Sequence, residues 1–405
     1  MVTSPEGLTY NEQFFDALVR HQIGLLRVSG SIRNKIYALL DATEKDIGDE
    51  IRRRLANAQG LERPSDVTRL ERLLKFVRAT RLKAWKQVDA EWVRSLQEIA
   101  KLEPDFMAGI VKTVVPVQLN LELPSTSRMI AMVNTRPMQG RVMKSWSKDL
   151  AAIDIKRIED QIRIGLLEGE TGPQVARRVV GSAALAGTDG VTEITRRAAN
   201  AITRTAVNTF SNSARQAFYE ANAELIQIEV YVATLDERTT PICRSLDGQK
   251  FKVGEGPVPP RHWMCRSLRV ATLDGELLGN RPMKPFTERQ FLREYAERNG
   301  FRAPTTRAGL PHGTRGAFDE YARGRVRELT GRVPARTNYQ TFLERQPASF
   351  QEDVLGKTRA LLFRRGGLKL TKFVNRKGDE LTLSQLAVLE RDAFIKAGLN
   401  PEDFL

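Results

Sequence analysis

Cysteine and histidine are the scarcest reactive side chains in this chain, with two cysteines and three histidines among 405 residues. Both cysteines, Cys243 and Cys265, and one histidine, His262, fall within residues 240–267. Two pairs of soft ligands, each closely spaced and set apart by a longer gap, form a recognised zinc pattern. His262 and Cys265 make one complete half. The other half holds Cys243 alone, because Thr240 stands where a further cysteine would begin it. Asp236, four residues earlier, offers a carboxylate as fourth ligand. Without a metal, the thiols would be buried as small apolar groups or joined in a disulfide. Cys243, His262 and Asp236 also have the composition of a thiol-hydrolase triad, although nothing nearby marks an oxyanion hole. The residue types leave these readings side by side.

These side chains need a frame to bring them together. Residues 226–232 alternate, with Ile226, Ile228, Val230 and Val232 on one face, as in a strand. Short strands are expected at residues 249–253 and 267–273. Gly248 after Asp247 has the chemistry of a tight turn. Pro259 and Pro260 give an extended approach that returns His262 and Cys265 towards Cys243. Asp236 and Arg238 close a strand end and can pair with each other or with Arg266. All of these serve architecture without requiring catalysis.

The rest reads mostly as helix. Residues 1–115 carry long amphipathic patterns, with Gly60 as a C-cap and residues 67–103 free of glycine and proline. Their apolar stripe is long for one chain to cover, which predicts a binding partner. His21 reads as a packing histidine. Residues 116–144, with Pro116 and Pro124, read as a connector. Helices resume in residues 145–275, where Ile194, Ala198, Ile202, Thr205, Ala206 and Thr209 form a narrow stripe suited to a tight helix interface. The strands above make a β knuckle at 226–275. Residues 276–405 form a basic, partly loop-like and partly helical region with one possible hairpin at Arg376–Lys377–Gly378. The expected fold is α+β and predominantly α-helical: long helices, a small embedded β-sheet knuckle domain and a basic helical C-terminal region.

The formal charge of +15 favours a polyanionic neighbour. Arg323, Arg325, Arg327 and Arg332, with Lys369 and Lys372, are the candidate contacts to a DNA backbone. Few aromatics lie beside them, so no base-stacking platform is expected. The N-terminus lacks the layout of a secretory signal, and no run of about 18 apolar residues predicts a membrane span. The low cysteine content fits a reducing cytoplasm. Gly356–Lys357–Thr358 lacks the upstream glycine of a phosphate-binding loop, since Gln351 holds that place on an apparently continuous helix. No dinucleotide, His-Glu-x-x-His or Gly-x-Ser-x-Gly motif occurs.

The knuckle resembles the signature of the Mu F-like head-morphogenesis family, the minor head proteins of tailed bacteriophages. The resemblance runs through Asp236, Arg238, Thr239, Thr240, Cys243, Leu246, Asp247, Gly248, Pro260, His262, Cys265 and Arg266. The helix before it, "TRRAANAITRTAVNTFSNSARQAFYEAN", is similar to the family's helix, and the match spans about residues 145–275. Thr240 replaces the family's first cysteine, and Ala206 replaces a glutamate. Residues 342–363 also resemble C-terminal segments of such proteins. The resemblance implies a structural, non-enzymatic minor head protein of the virion, inside the capsid near the portal vertex and in the host cytoplasm during assembly. It implies portal protein (first among candidates for the N-terminal stripe), major capsid or scaffolding protein and packaged DNA as partners, no membrane, and a role in procapsid assembly and DNA packaging or ejection. No cofactor is expected beyond a structural zinc. The rival readings are a zinc- or thiol-dependent hydrolase or nuclease centred on Cys243, His262 and Cys265, and a free, non-specific DNA-binding protein.

Overall fold

Two long helices form a spine. The structure, a computed structural model, describes residues 10–56, 64–115, 119–272 and 276–405. Helix α1 (Tyr10–Arg54) and α2 (Pro64–Val114) pack antiparallel. At 1.5 Å per residue they are about 68 and 77 Å long. The pattern without glycine or proline over residues 67–103 is one helix, which runs on through Pro104. Gly60 and Pro116 lie outside the described residues.

Around the spine pack α3 (Thr126–Thr135), α4 (Met143–Leu167), α5 (Gly172–Val180) and α6 (Thr192–Ala221). Three apolar cores line up along it. Ile47, Ile51, Leu73 and Val77 meet Ile158, Ile162 and Val175 at one end. Ile36, Leu40, Trp85 and Trp92 meet Leu150, Ile202 and Phe210 in the middle. Phe15, Leu18, Met107 and Val111 meet the sheet at the other end. Helices α4, α5 and α6 and the sheet of the same chain cover the buried face of the N-terminal stripe, while Ile23, Val28, Leu82 and Leu102 stay exposed. The periodicity shows that a face is apolar, but not what covers it. The connector contains α3, a helix not expected there, capped by Ser125 through the Arg128 N–H.

Several polar groups within this core are paired. Asp154 accepts from Arg81, Trp85 and Thr195 at 2.7–2.9 Å. Trp92 donates to Thr203 at 2.9 Å. His21 stacks on Phe106 and meets the buried Glu103 at 2.6 Å. Left without partners, such groups would each cost about 1–3 kcal/mol.

The three-stranded sheet has the order β2–β1–β3, with β1 (Ile228–Val232) antiparallel to β2 (Lys250–Lys252) and β3 (Leu268–Thr272). Helix α7 (Pro241–Leu246) sits between β1 and β2 in the chain. Beyond it, β4 (Asn280–Met283) pairs with β5 (Gly331–Pro334). These strands were not expected, since each contains a proline and is very short. Helices α8 (Glu288–Arg298) and α9 (Arg315–Leu329) lie between them in the chain. The tail adds α10 (Tyr339–Glu344), α11 (Ala348–Leu355), α12 (Lys357–Arg364), α13 (Leu383–Leu389) and α14 (Arg391–Lys396) around Phe342, Phe350, Leu362 and Phe394. Gly356, at φ +79°, divides α11 from α12, so the helix through Gln351 is not continuous. At the expected hairpin, Val374 and Glu380 bridge and Gly378 is left-handed. The fold is α+β and predominantly helical, with fourteen α-helices among the described residues.

Candidate metal centre

Helix α7 brings Cys243 to the site. Thr240 is its N-cap and Pro241 its first residue, with φ preset for a helix. The second arm is the turn from His262 to Cys265, closed by the Cys265 N–H to the His262 carbonyl at 3.3 Å, with Met264 left-handed at φ +59°. The Pro259–Pro260 bond before it is cis. The ligand atoms of Cys243, His262 and Cys265 all lie within 4.8 Å of one another. The two sulfurs are 3.7 Å apart and unbonded, and both cysteines are buried.

Helix α6 grips this turn. Thr205 Oγ1 accepts the Met264 N–H at 2.9 Å, and Asn208 Nδ2 donates to the Cys265 carbonyl at 2.8 Å. From β1, the Tyr231 hydroxyl lies 3.3 Å from Cys243 Sγ. Of the small-residue stripe, Thr205 holds the knuckle, Ala198, Ile202 and Ala206 face the helical core as a tight helix interface, and Ile194 is exposed. Sequence reasoning missed Asn208 and Tyr231. A polar Asn208 in the buried run 205–219 was the available signal.

The thiols share a hydrogen bond, and its effect on them is opposite. It is the largest cause in both, holding Cys265 down to about 6 and, with burial, pushing Cys243 up to about 12. The pair thus loses one proton easily and the second with difficulty. His262 is raised: burial, the largest single influence, lowers it, but the hydrogen bond and charge of Cys243 together with the Trp263 carbonyl outweigh that. His262 Nδ1 lies 2.8 Å from the Trp263 carbonyl. A carbonyl only accepts, so Nδ1 carries the proton and Nε2 keeps its lone pair.

The other predicted residues form the frame. Asp236 does not join the sulfurs. Its carboxylate takes both Arg266 amino groups at 2.5 and 2.8 Å, the Arg238 N–H and the Thr239 hydroxyl. Burial would raise Asp236, but Arg266 and these donors hold it below its ordinary range. Arg238 contributes only its backbone to that pairing; its side chain is exposed. Asp247 accepts the Ala233 N–H at 2.6 Å and is paired with buried Arg281 of β4 at 3.1 Å. Gly248 is left-handed, φ +82°, and an added Cβ would lie 3.0 Å from Asn338. Arg281 was missed because its partner lies 34 residues away. Thr240 Oγ1, at the place of the absent cysteine, is buried and has no hydrogen-bond partner.

The candidate DNA contacts divide. Arg325 is paired with Glu294 and Glu328, Arg332 with Asp16 and Lys372 with Glu390. Arg323, Arg327 and Lys369 are exposed, and none has a carboxylate within ion-pair distance among the described residues.

The family model described as Phage Mu protein F like protein matches residues 156–269, from within α4 to the start of β3, and so includes α6 and the whole cysteine–histidine knuckle. Residues 156–269 are thus similar to phage Mu protein F-like proteins, a likeness that lies in this segment of the chain. No curated protein and no solved structure matches the chain.

Proposed function

We propose that the chain is a structural minor head protein of a tailed phage, attached at the portal vertex inside the capsid. It would aid procapsid assembly there, contact portal and capsid or scaffolding protein, and lie beside packaged DNA that it touches only through the backbone. The observation that carries this reading is the Mu F-like segment with its knuckle clamped on α6. Co-expression of the chain with the portal protein of its own phage tests it. A stoichiometric complex is expected; a chain that remains free and is missing from purified heads would refute it.

The knuckle's part in this reading is architectural, and its residues fit a zinc ion. Two thiolates on a tetrahedral zinc, each at about 2.3 Å, would be separated by about 3.8 Å, and the sulfurs here are 3.7 Å apart. His262 keeps a free lone pair while Nδ1 is fixed by a carbonyl, the usual support of a ligating imidazole. Cys243, His262 and Cys265 would hold the ion, which would cross-link α7 to the 262–265 turn. With Asp236 held by Arg266, the protein supplies three ligands. The hydrolase reading has less support. A buried Cys243 thiol with a raised pKa is a weak nucleophile, and Asp236 points its charge at Arg266 rather than at His262.

A further inference from the structure

Most arginines of this protein are paired, but several beside the knuckle are not. Arg204 on α6 is half-buried and, among the described residues, has no acid within ion-pair distance. Burial lowers its pKa, and so do its charged neighbours, Arg238, Arg33 and Arg266, all cations. Of these, Arg33 donates only to the neutral Asn34 amide, and Arg266 is neutralised by Asp236. Beside Arg238 and Arg266 opens a cleft of about 620 Å³ between the knuckle and α9. Its wall adds Lys284, Arg323 and Arg327, again without acid partners within ion-pair distance.

Four acids, Asp236, Glu237, Glu288 and Asp319, line the cleft against six cations, and two of the four are held by arginines. Asp236 is held by Arg266, and Asp319 by Arg307 at 2.6 and 2.5 Å. Glu237 accepts the first N–H of α8, from Glu288, at 3.1–3.2 Å. What remains is an excess of positive charge in a concave site. Such a site focuses the field and concentrates anions. Its floor is Phe286, Phe291 and Phe318, all buried, so no aromatic face is offered to a base.

We propose that this cleft binds the phosphodiester backbone of nucleic acid, with Arg238, Lys284, Arg323 and Arg327 as its cations. The cations come from the β1–α7 loop, the segment after β4, and α9, so they suit a run of phosphates better than one small anion. Without a stacking platform or an open base-reading edge, binding is independent of sequence. This deepens the proposed place beside packaged DNA and rests on it for the identity of the ligand. Its test uses the free protein, so failure of the cleft leaves attachment to the portal standing.

The experiment titrates the full chain with short duplexes of unrelated sequence, by fluorescence anisotropy at stepped salt. Three double variants are compared: Arg238→Gln with Lys284→Gln, Arg323→Gln with Arg327→Gln, and, as a control outside the cleft, Lys83→Gln with Lys86→Gln on α2. The substituted side chains are at the surface, and thermal melts confirm the fold. Each cleft pair should weaken binding about tenfold or more at low salt and flatten the log–log salt slope by about 1.8, near 0.9 per lost phosphate contact. The control pair should leave the slope nearly unchanged. Equal losses in cleft and control variants, an unchanged slope in the cleft variants, or no binding at low salt would overturn the proposal. So would competition by polyglutamate as effective as that of DNA of equal charge, which points to an acidic protein segment.

Discussion

Replacing Cys265 by serine tests what the knuckle does. Cys265 is only 2% exposed, its sulfur lies 3.7 Å from that of Cys243, and its carbonyl is tied to Asn208 on α6. The substitution keeps the shape and removes the soft atom. If the site is a metal-free packing cluster, the loss is one buried hydrogen bond and a poorer fit for a hydroxyl, about 1–3 kcal/mol. If zinc is held, one of three protein ligands disappears. The cost is then a share of the roughly 10–16 kcal/mol that a structural zinc contributes in small domains. His262→Ala should act in the same direction, being milder without metal and comparably severe with it. Thermal melts of wild type and both variants, with and without a chelator, and metal content measured on purified protein separate the two cases. The expected result is stoichiometric zinc, a chelator-sensitive melt in the wild type and a chelator-insensitive, lower melt in both variants. Both variants folding and assembling like wild type while losing a hydrolytic activity would refute the architectural role and restore the enzyme.

Three further outcomes are expected. Asp236→Asn strands the Arg266 guanidinium, which is 20% exposed, and should cost about 2–4 kcal/mol in denaturant unfolding, a little under a fully buried broken pair. Because the folded Asp236 titrates below its unfolded value of about 3.9, its contribution is complete above that pH and lost as pH falls through the folded value; the variant's melt should therefore lose part of the acid sensitivity of the wild type. Trp92→Ala empties the middle core and removes the N–H that Thr203 accepts, for an expected loss of about 3–5 kcal/mol, with residues 145–221 losing hydrogen-exchange protection together with α1 and α2; retained protection there would contradict a shared core. Gly248→Ala places a side chain in the left-handed region against Asn338 and should destabilise by about 1–2 kcal/mol, measured by melting.

Local pattern was enough for much of this protein. The period of 3.6 marked α1, α2, α4 and α6, and the change to a period of two marked β1, because burial of one face imprints its repeat on the residues that make it. The spacing of Cys243, His262 and Cys265, with Gly248 at the turn, outlined the knuckle, since loop geometry and ligand chemistry constrain residue type directly. Partnership was another matter. That α4, α5 and α6 cover α1 and α2, that Asp236 goes to Arg266 and Asp247 to Arg281, and that Asn208 holds the Cys265 carbonyl depends on approaches between distant segments. Strands β4 and β5 form despite their prolines because they pair with each other. The basic composition raised the expectation of an anionic partner, but only the tertiary structure decided which arginines are neutralised and which line one cleft unpaired. Charge is a property of each residue; its compensation is a property of neighbours that the fold brings together.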